Sequence, residues 1–190
     1  MNWETVMTQI TLLDDSNFLE FYVTAKKSTY AAGGDQKAER LQNGGKMYVF
    51  YDRKRWPQWL YRDIYHGYNP FFGNEIIEWM ENPSSMWVPI AQMSYNGYAK
   101  GNEDQIKLLF SFLESMLQRV CVEDPFRGPS KPIRENGLKY HCQWMRLDQY
   151  RVEGKETILA YALCEGEQVS YKLNFQFCCL PLIPLIPFRQ

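Results

Sequence analysis

The stretch Trp59–Glu75, WLYRDIYHGYNPFFGNE, decides the fold. Extended from Trp59 to His66, it sends alternate side chains to two faces. Trp59, Tyr61, Asp63 and Tyr65 then share one face, and Leu60, Arg62, Ile64 and His66 share the other. The run breaks at Gly67-Tyr68-Asn69-Pro70, where Asn-Pro signals a turn, and a further strand is expected over Asn74–Met80. A face of three rings around one carboxylate is not an ordinary core face, because a buried Asp needs hydrogen-bond partners. It is either a surface for something polar or cationic, or a Tyr–Asp network that ties a sheet together.

Working outward, Met47–Asp52 reads as a strand joined to Trp59–His66 by a turn through Arg55 and Pro57. After the turn Asn82–Ser85, Met86–Tyr95 forms the next strand, with Pro89 at an edge or bulge and Asn96-Gly97 as its end. Upstream, Phe18, Phe21, Tyr22, Ala25 and Thr29 fall at helical spacing within a helix over Asn17–Ala31. Ser16 or Asn17 is the expected cap, with Glu20 closing a capping box. Residues 1–14 read as an edge strand or arm, and Asp35–Gly45 as a polar surface loop. Downstream, Asn102 and Gln105 frame a second capping box, with Glu103 and Asp104 in the first turn. Ile106, Leu109, Phe110, Leu113, Leu117 and Val120 form one apolar stripe of that helix, and Leu108, Phe112 and Met116 a second, so it is expected to lie across a sheet. The loop PFRGPSKP, Pro125–Pro132, is stiffened by prolines and presents Arg127. Strands follow at Leu138–Leu147, Glu156–Cys164 and Gln168–Phe177, and the tail LPLIPLIPFRQ reads as an extended, polyproline-like arm that docks on a surface.

A near-repeat runs through this order. Gly73-x-Glu75-x-Ile77 is echoed by Gly154-x-Glu156-x-Ile158, each between a strand and a hairpin. The expected fold is therefore α+β: one domain over 1–190, with an antiparallel sheet built from two similar helix-plus-strands units. The units span about 16–100 and 101–177, two main helices pack on the sheet, and a Pro-rich arm covers 178–190.

Composition narrows the function classes. The chain has 190 residues, 45% hydrophobic and 23% charged, which is a globular balance. A formal net charge of −1 gives no global field for nucleic acid or an acidic membrane. Five cysteines without a CxxC pair, and no secretory start at MNWETVMTQI, set the expectation of a cytoplasmic protein with reduced thiols and no membrane span. Aromatics reach 16%, which an aromatic sheet core or a stacking pocket explains.

The motifs FLEFYVTAKKSTYA, YRDIYHG, FFGNEII, MSYNGY, PFRGP and the final G-x-E-x-I hairpin, in this order, resemble a bacterial family of domains of unknown function. That family often forms the C-terminal portion of Cro/repressor-type (XRE) helix-turn-helix regulators and also stands alone. Its pattern falls on Ala25, Lys26, Thr29, Tyr30 and Ala31, then on Tyr61, Asp63, Tyr65, Gly67, Phe72, Gly73 and Glu75. It continues at Trp87, Tyr95 and Gly97 and ends on Arg127-Gly128-Pro129. The resemblance implies a fold and a sensing or binding module. About sixteen residues precede the first helix, so no helix-turn-helix is expected before it and a DNA-reading role is not inherited.

Several chemistries are disfavoured. His66 and His141 lie at no ligand spacing, so no metal is expected, and no phosphate, dinucleotide or nucleophile-elbow motif implies a cofactor. Asp63, Glu75 and Glu156 stand as candidate acid–base residues, since rings around a carboxylate raise its pKa. Against this, a Glu after a Gly-turn often only ties down amides or an Arg. The binding reading joins Trp59, Tyr61, Tyr65, Trp87 and Tyr95 as rings, with Asp63 and Glu75 as charge and Arg127 as a grip for an anion. The expected function is a cytoplasmic small-molecule-binding module, a sensor or a sequestering protein. The alternative is a small cofactor-independent cyclase, isomerase or hydrolase. No nucleic-acid or membrane partner is expected, and the Pro-rich tail suits a homodimer or a protein partner.

Overall fold

A computed structural model describes residues 11–29, 38–162 and 166–180. Among them a 3-10 turn at Leu12–Asp14 leads into helix α1 (Ser16–Ser28). Strands β1 (Glu39–Arg40), β2 (Lys46–Phe50), β3 (Trp59–Gly67), β4 (Phe71–Trp79) and β5 (Val88–Ala99) follow. Helix α2 (Glu103–Leu117) precedes β6 (Ile133–Glu135), β7 (Leu138–Arg146), β8 (Arg151–Ala162) and β9 (Gly166–Cys179). The strands form one antiparallel sheet in the order β1-β2-β3-β4-β5-β9-β8-β7-β6. The architecture is α+β and dominated by the sheet.

Register assigns the two faces. Asp63 pairs with Tyr48 on one side and Glu75 on the other, Glu75 with Met93, and Met93 with Phe177. These side chains project to the same side, with Tyr61, Tyr95, Tyr140, Glu156, Tyr171 and Phe175. Both helices lie on that face. Phe18 of α1 packs at a tilt 5.5 Å from Trp59, and Tyr22 lies 5.8 Å from Phe177, while Phe110 of α2 meets Phe71 at 6.0 Å and Tyr171 at 6.3 Å. On the opposite face Gln92 and Ser94 donate to Asn74, and Gln176 donates to Glu153, in exposed side-chain pairs. One face buried and one solvated is the usual economy of an antiparallel sheet.

The structure corrects several local expectations. The first helix is capped by Asp15, which accepts from the backbone of Asn17 and Phe18, so Ser16 and Asn17 lie inside it. Glu20 forms no capping box and instead takes a salt bridge from Arg55 at 2.8 Å. The loop over Asp35–Gly45 contains the short strand β1, and β6 is a further strand between the loop Pro125–Pro132 and Leu138, where none is expected. β4 starts at Phe71, three residues early, and β5 runs through Asn96-Gly97 to Ala99. Pro89 does sit beside an irregularity of register at Ile77/Glu78, where its missing N–H is tolerated. In α2 the capping box forms in full, but Leu108 is exposed, so the apolar side is narrower than expected. The expectations for residues 1–10 and 30–37, for Cys164 and for most of the proline-rich tail (181–190) lie outside the described residues. Among the described residues, no helix is long and apolar enough to cross a membrane.

Candidate functional site

Five ionisable side chains are buried together on the covered face: Lys26, Asp63, Glu75, Arg127 and Glu156. Lys26 projects inward from α1, one turn after Tyr22, and its ammonium lies 3.2 Å from Glu75 and donates to the carbonyl of Phe126. Tyr22 Oη donates to Glu75 at 2.6 Å. Arg127, carried in by the Pro-stiffened loop, reaches both glutamates, Glu156 at 3.3 Å and Glu75 at 3.7 Å. Glu156 also accepts from Tyr140 at 2.6 Å and Tyr171 at 2.9 Å. Each glutamate is therefore paired and hydrogen-bonded, as burial of a charge demands.

Asp63 differs. It accepts a hydrogen bond from Tyr95 Oη at 2.7 Å, and no cation lies within salt-bridge distance of it among the described residues. Burial, and then the negative charge of neighbouring Glu75, raise its pKa from the ordinary 3.8 to about 7, against the Tyr95 hydrogen bond and the more distant Arg127 and Lys26. Burial also lowers Lys26 to about 8, partly offset by Glu75. The Tyr95 hydroxyl is pushed well up by burial and by the Asp63 carboxylate, so it remains a donor.

Asp63 and Tyr95 end a cleft of about 440 Å³ between α2 and the β2–β3 side of the sheet. Its walls are rings and aliphatic chains: Tyr48, Tyr65, Phe71 and, from α2, Phe110, Leu113 and Leu117. Tyr48 and Tyr65 stack at 6.1 Å with 13° between their planes, which makes one wall flat. Half-buried Lys46 and exposed Glu114 add one charge of each sign, and Arg127 lines the floor beneath Tyr95, its guanidinium 5.3 Å from the ring centre. Gly73 makes room for this floor, since a Cβ there would stand 2.5 Å from Tyr95 Oη.

Of the residues singled out in the sequence, Asp63, Tyr65, Tyr95 and Arg127 come together in the cleft. Glu75 and Glu156 lie behind it, joined through Arg127, which is held by carboxylates and not held out as a free grip. Trp59 and Tyr61 are buried under α1, against Phe18 and Tyr22. Trp87 stands apart, edge-on to Tyr51 at 5.4 Å. Sequence reasoning did not place Lys26, Tyr22, Tyr140 and Tyr171 in the charge network, or Tyr48, Phe71 and Phe110 in the cleft wall. Lys26 had a local signal, a cation one turn from Tyr22 on the apolar stripe of α1.

Residues 63–178 match DUF5680, a domain of unknown function. The match covers more than half of the chain, and the chain belongs to that family. It begins on Asp63 and includes Glu75, Tyr95, Arg127 and Glu156. Comparison with curated proteins and with solved structures gave no match.

Proposed function

We propose that the protein is a small-molecule-binding module whose ligand occupies the cleft between α2 and the β2–β3 side of the sheet. The observation that carries this reading is a cleft of about 440 Å³ with ring-lined walls that ends on the hydrogen-bonded pair Asp63–Tyr95. That volume lies within the roughly 300–1,000 Å³ range of small-molecule sites, and apolar walls with few convergent polar groups are their usual make-up. Intact mass of the purified protein under native and denaturing conditions tests it. A ligand lost on denaturation supports binding. A clean mass, followed by no thermal shift across a metabolite panel, counts against it.

A second reading is proton-transfer catalysis of the cyclase, isomerase or hydrolase type, with Asp63 as base. Its support is that burial and Glu75 hold Asp63 at about 7, where it can take and return a proton near neutrality. Asp63→Asn separates the two, abolishing turnover in one case and altering affinity alone in the other.

The sheet also reads as two related halves, α1 with β2–β5 and α2 with β6–β9. Supporting this, Gly73 lies under Tyr95 and Gly154 under Phe175, and Tyr95 and Phe175 are partners across β5–β9. Glu75 and Glu156, two residues on, both reach Arg127. Given the resemblance to domains that accompany XRE regulators, we place the module as a cytoplasmic sensor or sequestering protein. The Pro-rich segment would serve a homodimer or protein contact, which deletion of Leu180–Gln190 tests through oligomeric state and partner capture.

A further inference from the structure

We propose that the cleft takes a small organic monocation, a protonated amine or quaternary ammonium on an apolar or aromatic body, with the Asp63 carboxylate as its counter-ion. This rests on the small-molecule-binding reading and names the ligand class of that same site.

The argument starts from the buried charges. Three carboxylates, Asp63, Glu75 and Glu156, face two cations, Lys26 and Arg127. Both cations are engaged by the glutamates, and Asp63 is left with a neutral donor, the Tyr95 hydroxyl. Among the described residues the cluster is one positive charge short, and the carboxylate at that position is the one that lines the cleft. A buried carboxylate in that state is neutralised by a proton or by a cation.

The other half of the sheet indicates that the fold does not need an acid here. Asp63 is the cross-strand partner of Glu75, and in the same relation to Glu156 stands Cys142, fully buried and neutral. The acid occurs where the cleft is. The walls agree in sign, because Tyr65 and Tyr95 already hold a cation over the ring, Lys46 at 5.6 Å and Arg127 at 5.3 Å, and ring faces attract positive charge. An anion would instead meet Asp63, with Glu75 behind it, and would compete with two glutamates for Arg127.

The groups around Asp63 are Tyr48 on β2, Glu75 on β4, Tyr95 on β5, Arg127 on the loop and Lys26 on α1, with Lys46 and Glu114 farther out on the cleft lining. With no ligand bound, Asp63 holds its proton up to about pH 7. A cation binds to the ionised form and expels that proton. Affinity therefore rises with pH below about 7 and levels off above it, where Lys26, half-titrated at about 8, begins to lose its own proton.

Calorimetry with three probes of one shape tests this: tryptamine (cation), tryptophol (neutral) and indole-3-acetate (anion), with phenyltrimethylammonium as a cation that cannot titrate. At pH 7.5 tryptamine is expected to bind at least about tenfold tighter than its neutral and anionic counterparts, and both cations to weaken by up to about tenfold per unit between pH 6.5 and 5.5. At about pH 6, a unit below the Asp63 midpoint, titrations in buffers of different ionisation enthalpy should show close to one proton released per cation bound, falling to about half at pH 7. Asp63→Asn should remove both the cation preference and the pH dependence. The wild-type ranking and proton count stand whether or not that variant folds. If tryptophol or indole-3-acetate binds as tightly as tryptamine, or no proton is released, the cation assignment fails and the binding module survives. If none of the four binds at 1 mM, the cation assignment fails, and the binding module is judged separately by the native-mass and metabolite-panel test.

Discussion

Arg127→Met removes the side chain that bridges Glu75 and Glu156, with little change in volume. Glu156 then keeps the hydroxyls of Tyr140 and Tyr171 but loses its guanidinium partner at 3.3 Å, while Glu75 keeps Lys26 at 3.2 Å. Leaving a buried charge unpaired costs about 3–5 kcal/mol, and that cost falls on Glu156, which has no second cation among the described residues. Glu156→Gln alone should cost less, about 1–3 kcal/mol, because the amide oxygen still accepts from the tyrosines. In the double variant no charge remains at 156 to be left unpaired, so its cost should fall short of the sum of the singles by about 2 kcal/mol. Urea unfolding followed by tryptophan fluorescence gives all three values. If Arg127→Met costs less than about 1 kcal/mol, or the two effects simply add, the network does not hold the sheet in the way described.

Two further outcomes follow from the same geometry. The pKa of Asp63 is raised by folding from 3.8 to about 7, so its protonated form stabilises the fold at low pH and this contribution is lost as pH rises towards 7. Between pH 5 and 7 the loss is about 2 kcal/mol, so the stability of Asp63→Asn relative to wild type should rise by that amount across this window, and a flat difference in denaturant midpoints would contradict the shift. Gly73→Ala places a methyl 2.5 Å from Tyr95 Oη and 2.7 Å from the Ile64 carbonyl. It should cost about 1–3 kcal/mol in thermal or chemical unfolding and shift Tyr95 off Asp63, which the pH dependence of stability would register as a changed slope.

Much of the fold is written locally. Trp59–His66 announces one face by rings at Trp59, Tyr61 and Tyr65, although Leu60 on the other face is buried as well, and Asn102 and Gln105 announce the start of α2, because both signals depend on neighbours within a few residues. Gly97 shows where such reading stops. Next to Asn96 it looks like a strand end, yet it is glycine because the Phe71 ring crosses it, a Cβ coming within 2.7 Å of Phe71 Cζ. The charge network is less legible still. Arg127, Glu75 and Glu156 converge only because the sheet order brings β4 and β8 to either side of β5–β9. Asp63 was visible as an acid among rings, but its lack of a cation depends on where every other charge ends up.

The β5–β9 join has a kinetic consequence. Every other strand pair links neighbours in the chain, so β1–β5 and β6–β9 are meanders that zip up through short loops. Ala91 must find Cys179, and Tyr95 must find Phe175, across nearly half the chain. Closing so long a loop is the slow, entropically expensive event in folding. Until it happens, each meander presents an unpaired inner edge, and another copy of the chain offers the complementary one. Refolding at high concentration therefore sets intramolecular closure against exchange of halves between molecules.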